Sequence, residues 1–174
     1  AHTHEFIRTG QVDSKFGLDL ASGEAMEALR RAKAMEHVAV KGLHCHIGSQ
    51  ILEKAPFVHA AEVMLQFYAK VRDELGMTFE HLNLGGGFGI HYTAQDDAIP
   101  YEEYMEDVSA MVHSTCEKLG LELPRIFIEP GRSIVGEAGI TLYTVGSIKE
   151  IPGVRTYVAI DGGMFDNPRY ALYQ

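Results

Sequence analysis

Apolar residues return every three or four positions along three stretches of the chain, and each stretch leads into a short β-rich run. Met26, Leu29 and Ala32 share one face of a helix that Ser22 is placed to cap and that ends near His37. Residues 38–46 then read as a strand. Pro56 suits the first position of the next helix, where its missing N–H has no partner to lose. That helix carries Phe57, Ala61, Met64, Leu65, Tyr68, Val71 and Leu75 on its inner face, with Gly76 to stop it. Phe79 to Leu84 is the next predicted strand and runs into Gly85-Gly86-Gly87-Phe88-Gly89. Pro100 opens a third helix with Glu102 and Glu103 near its positive end, an apolar stripe from Tyr101 to Leu119, and Gly120 as its stop. Residues 125–129 form another apolar strand, expected to be buried and ended by Pro130-Gly131. Beyond it, residues 139–149 and 154–161 alternate with no helix between them, the pattern of antiparallel β structure.

Helices alternating with apolar strands predict an α/β fold with a parallel sheet. The polar and glycine-rich segments, His46 to Gln50, Gly85 to Gly89 and Glu129 to Arg132, each follow a strand. Ligands in such folds bind at the carboxyl ends of the strands. A closed barrel takes eight strands and about 250 residues, whereas this chain has 174. The expectation is therefore the second half of a (β/α)8 barrel of the TIM type over residues 1–138, then the first strands of a β domain over 139–174. The absence of an initiator Met also reads as a piece of something longer.

Composition narrows the partners. With 15 Lys and Arg against 24 Asp and Glu the net charge is −9, which disfavours nucleic acid. Hydrophobic residues at 46% and charged residues at 22% describe a core-forming chain. No window approaches the ~18 apolar residues that span a bilayer, and no secretory signal is visible at the start, so no membrane partner is expected. Two cysteines, Cys45 and Cys116, are too few for a disulfide framework and suit the cytoplasm.

Several residues carry possible chemistry. Gly85, Gly86 and Gly87 either let backbone N–H groups close on a phosphate or form a tight strand-to-loop turn. No Gly-Lys-Ser/Thr follows, and the G-x-G-x-x-G spacing fails at Tyr92, so a phosphate-bearing cofactor other than a nucleotide fits better. His44 and His46 lie on the same side of a strand. Zinc wants three or four ligands, and nothing nearby supplies the remainder, so no metal is expected. Packed histidines, or a ring stacked on a cofactor, remain. Glu129 ends an apolar strand and either pairs with Arg132 or faces a protonated ring nitrogen or an ammonium group. Arg132 and Arg169 suit bidentate contacts to carboxylates.

Together these strings resemble a known family. Gly42-Leu43-His44-Cys45-His46-Ile47-Gly48-Ser49-Gln50, Leu84-Gly85-Gly86-Gly87-Phe88-Gly89, Glu129-Pro130-Gly131-Arg132 and Asp161-Gly162-Gly163-Met164 are similar, in order, to the diaminopimelate decarboxylase family of fold-type III pyridoxal-phosphate enzymes. Asp13-Ser14-Lys15-Phe16-Gly17 and Asn167-Pro168-Arg169 extend the resemblance to nearly the whole chain. It implies pyridoxal 5'-phosphate as cofactor, with His46 stacked on the pyridine ring and Glu129 facing its nitrogen. Ser49, Gly85, Gly86, Gly87 and Gly131 would hold the phosphate, with Pro130 in the same set. Arg132 would reach the phosphate side and a substrate carboxylate, and Arg169 and Tyr173 would grip the far end of the substrate.

An arginine at 169 suits a distal carboxylate and would repel a distal cation. The implied reaction is therefore conversion of meso-2,6-diaminopimelate to L-lysine and carbon dioxide. An ornithine- or arginine-type decarboxylase or a racemase on the same scaffold is the alternative, and a non-catalytic phosphate- or metal-binding fragment is another. The family's cofactor lysine lies in a Tyr-Ala-x-Lys-like context, and none of Lys15, Lys33, Lys41, Lys54, Lys70, Lys118 or Lys149 does. The family's later cysteine-bearing loop is also absent, and Tyr170 stands where proline usually follows the arginine. The expectation is a chain that contributes no catalytic lysine, is inactive alone, and self-associates as a homodimer or through open barrel edges.

Overall fold

The computed structural model describes residues 16–168, and its core gathers on the inner faces of the helices. Helix α1 (Glu24–Lys33) buries Ala25, Met26 and Leu29. Gly23, not Ser22, is its N-cap. Ser22 instead donates its backbone N–H to Asp19 Oδ2 at 2.5 Å, and its hydroxyl oxygen lies 3.4 Å from the Glu24 N–H. The helix ends four residues before His37, because nothing apolar beyond Leu29 is buried to continue it. Helix α2 (Ala55–Leu75) begins one residue before Pro56 and ends at Gly76, in the left-handed region at φ 62°. Helix α3 (Tyr101–Leu119) has Pro100 as its N-cap. Arg72 of α2 donates from Nη1 to the carbonyls of Leu119 and Gly120, at 2.7 and 3.1 Å, and so satisfies the end of α3.

Strands β1 (Gly42–His44), β2 (His81–Asn83) and β3 (Arg125–Phe127) form a parallel sheet in that order. Leu43 pairs with Leu82 and Leu82 with Ile126. These strands are shorter than predicted, yet the ladder runs on beyond them through Cys45 N–H to Asn83 O, Leu84 N–H to Phe127 O and Glu129 N–H to Gly85 O. Tyr68 of α2 ties the first two strands: its hydroxyl donates to His81 O at 2.6 Å and accepts the Leu43 N–H at 3.0 Å. Between helices and sheet lies a core that includes Phe57, Leu65, Leu82, Leu84, Tyr104 and Val108. Phe57 stacks on Phe88, with ring centroids 4.3 Å apart.

The expectation that residues 125–129 are buried is not met. Arg125, Phe127 and Glu129 are exposed and Ile126 is half-buried: β3 is one of the two outer strands of the sheet, and among the described residues no helix covers the face that carries 125, 127 and 129. A short helix α4 (Arg132–Val135), unforeseen in the sequence, follows it. Strands β4 (Val145–Ile151) and β5 (Arg155–Ile160) then pair antiparallel, as the alternation predicts, although residues 139–144 stay irregular.

Candidate functional site

Three strand ends meet at one edge of the parallel sheet. The loop after β1 lies against the glycine loop after β2, with Ile51 N–H bonded to Gly87 O and Gly89 N–H to Ile51 O, both at 2.9 Å. The glycine loop in turn lies against the end of β3. A Cβ on Gly86 would sit 2.2 Å from Glu129 O, and one on Gly87 would sit 2.2 Å from Gly48 O. Backbone approach alone therefore demands glycine at these two positions, and the turn reading accounts for them. Gly131 is different. Its φ of −72° suits any residue, and an added Cβ would meet nothing within 4 Å. Neither conformation nor packing requires glycine there, and the space a side chain would fill is empty.

Side chains complete the site. Arg132, at the start of α4, donates from Nη2 to Ser49 Oγ at 2.6 Å and from Nη1 to Gln50 Oε1 at 3.4 Å. Its guanidinium lies 5.8 Å from the centroid of the Tyr92 ring. The expected alternative pairing of Arg132 with Glu129 is not made. Glu129 turns to the other side, where its Oε1 accepts from Asn83 Nδ2 at 2.8 Å and lies 3.7 Å from His44 Nδ1. Its side chain is 58% exposed, so the burial expected for this carboxylate is absent and solvent offsets its charge. Among the described residues Oε2 takes no hydrogen bond, and no carboxylate pairs with Arg132.

His46 is exposed, and its Nδ1 lies beside Gly85, at 3.2 Å from the point a Cβ there would occupy. Cys45, between the two histidines, faces inward, and burial pushes its thiol up to about 11. Among the described residues no group of three or more His, Cys, Asp or Glu gathers to hold a metal. Arg169 and Tyr173 lie outside the described residues, as do Lys15 and Tyr170.

The donor set fits a phosphate ester. A guanidinium oriented by neutral acceptors, the Ser49 hydroxyl and the Gln50 amide oxygen, has its charge available to an anion. It follows the empty space at Gly131, while an oriented carboxylate one strand end away suits a cationic ring nitrogen. Two contributors escaped the sequence reading. Asn83 accepts the Gly85 N–H at 2.8 Å as well as donating to Glu129. An asparagine two residues before a glycine at a strand end is a signal that could have been used. Gln50 has no such local signal.

The family model described as "Pyridoxal-dependent decarboxylase, pyridoxal binding domain" matches residues 1–136. The chain belongs to that family. Its cofactor is accordingly of the pyridoxal class, in line with the donor set. A diaminopimelate decarboxylase of Bacillus subtilis (strain 168) is 53% identical over 174 residues, covering all of this chain and 40% of the relative. One from Staphylococcus aureus (strain COL) is 51% identical over 173 residues, covering 99% of this chain and 40% of that protein. Among solved structures, the diaminopimelate decarboxylase of M. jannaschii in complex with L-lysine superimposes with a TM-score of 0.83 at 40% identity. That likeness covers 93% of this chain and 36% of the other. The chain thus spans about 40% of the length of the curated relatives it matches.

Proposed function

We propose that this chain supplies the cofactor bed of a diaminopimelate decarboxylase. The observation that carries the reading is Arg132, which among the described residues has no carboxylate partner and is held against Ser49 at the strand ends where Glu129 also emerges. In this reading residues 1–138 are the second half of a (β/α)8 barrel, and residues 139–174 begin a β domain. The relatives' names supply the substrate, and the arginine at 169 suits the distal carboxylate of diaminopimelate. A small amino acid is the ligand. The setting is the cytoplasm, and a second copy of the chain, not nucleic acid or membrane, is the partner.

When bound, pyridoxal phosphate supplies an electron sink for the pair of electrons left at the α-carbon as carbon dioxide departs. The residues of this chain bind and orient. Ser49, Arg132 and the backbone from Gly85 to Gly87 and from Pro130 to Gly131 hold the phosphate end. Glu129, held through Oε1 by Asn83, would face the ring nitrogen, and its negative charge would favour the protonated, electron-poor ring. His46 would stack on the ring. Arg169 and Tyr173 hold the far end of the substrate, and Arg132 its nearer carboxylate.

Among the described residues no lysine is placed at this site. Among the described lysines, Lys41 and Lys54 pair with Glu80 and Asp107, Lys33 reaches Leu75 O, and Lys70 lies 3.8 Å from Glu74. Lys118 and Lys149 lie on α3 and β4. The decisive experiment gives diaminopimelate, ornithine or arginine to a full-length protein carrying these residues, with pyridoxal phosphate saturating, and measures carbon dioxide. Release from diaminopimelate with lysine as product is expected, and release only from ornithine or arginine would contradict the reading.

A further inference from the structure

Gln50 has φ 55°, and among the described residues it is the only non-glycine residue in the left-handed region. Such a conformation is disfavoured for a residue with a Cβ and persists where surrounding contacts over-determine it, often at functional sites. The contacts here are specific. Gln50 Nε2 donates to Ile90 O at 2.6 Å, and Oε1 accepts the Ile90 N–H at 3.2 Å, so one amide brackets both polar atoms of a residue 40 positions away. The same Oε1 faces Arg132 Nη1 at 3.4 Å.

Joining the two loops does not by itself need this amide. Ile51 and the glycine loop are already paired through two backbone hydrogen bonds of 2.9 Å. What the amide adds is a fixed oxygen in front of Arg132. We propose that Gln50 is a positioning residue that aims the Arg132 guanidinium at the phosphate end of the cofactor, with Ser49 holding the other terminal nitrogen. The proposal rests on the reading of these strand ends as a cofactor cradle. Neutral acceptors serve this purpose because they orient the guanidinium and leave its charge for the ligand, whereas a carboxylate at the same place would neutralise it. The ligand class this favours is a dianionic phosphate monoester over its dephosphorylated alcohol.

The test compares pyridoxine 5'-phosphate with pyridoxine, which lack the aldehyde and so do not label surface lysines. Binding of each to the 174-residue chain is followed by titration calorimetry, for the wild type, Gln50→Glu, Gln50→Gly, Arg132→Ala and the two double variants. Gln50→Gly relieves the backbone and removes the amide. Gln50→Glu keeps length and shape and gives Arg132 an internal counterion. Both should weaken pyridoxine 5'-phosphate about tenfold and leave pyridoxine unchanged; once Arg132 is alanine, Gln50→Gly should have no further effect and Gln50→Glu a smaller one.

Equal weakening of both ligands would mean a merely structural role and would overturn the proposal. So would wild-type phosphate preference in Gln50→Glu, or an undiminished effect in the Arg132→Ala background. A wild-type chain that does not prefer the phosphorylated ligand overturns the cradle reading itself. A preference abolished by Arg132→Ala but untouched at position 50 overturns only the role of Gln50.

Discussion

Asn83 is the residue on which the orientation of Glu129 depends. One end of its amide donates to the carboxylate and the other accepts the Gly85 N–H, so strand end, glycine loop and carboxylate are fixed by a single side chain. A hydrogen bond to a charged acceptor contributes about 1.5–3 kcal/mol. In a full-length enzyme carrying these residues, Asn83→Ala should therefore lower kcat roughly ten- to hundredfold with KM for the amino acid little changed. In a Glu129→Ala background the same substitution should add nothing. An unchanged kcat, or an equal loss in both backgrounds, would remove Asn83 from this role. At this scale the candidate residues are legible in the sequence as strand-end positions, since His46, Ser49, Gly131, Glu129 and Arg132 all follow apolar runs. Their partners are not, because the contacts of Asn83 with Glu129 and of Gln50 with Arg132 span 46 and 82 residues. Local spacing carries no information about such pairs.

At the scale of elements, Tyr68 welds α2 to the sheet. Burial pushes its hydroxyl up to about 12, and Cys45 in the same layer stands at about 11. Both groups hold their protons more tightly folded than unfolded, where they titrate near ~10 and ~8.5. Their contribution to stability is therefore full below about pH 8.5 and is lost as pH rises through 11 and 12. Thermal unfolding followed from pH 8 to pH 11 should show a falling Tm. Tyr68→Phe should lower Tm at neutral pH, through two lost hydrogen bonds, and flatten the decline above about pH 10. A Tm that does not change across that range would contradict the assignment.

The long helices α2 and α3 are legible because nine buried residues in one and five in the other repeat at helical spacing and glycine ends both. The strands are not. Three residues each of β1, β2 and β3 are regular, and their extent is set by the neighbouring strand rather than by their own sequence. The exposure of β3 follows from its place at the edge, which the apolar run 125–129 does not reveal.

For the whole molecule, β1 and β3 are the outer strands of the parallel sheet among the described residues, and several apolar side chains beyond it are exposed. Phe127, Ile134, Ile148 and Tyr157 are all exposed. Unpaired edges and apolar patches of this kind favour association with another chain. Sedimentation velocity of the 174-residue chain should show mass increasing with concentration in the micromolar range, and a monomer at every concentration would count against self-association. No helix among the described residues is long and apolar enough to cross a membrane.

If the three strand ends form a bed for the phosphate of the cofactor, a crystal structure of the chain grown with pyridoxal phosphate should show it. The phosphate group should lie within hydrogen-bonding distance of Ser49 Oγ, the Arg132 guanidinium and the backbone N–H of Gly131. A phosphate bound elsewhere, with Arg132 still turned to Ser49 and Gln50 and the space beside Gly131 empty, would contradict it.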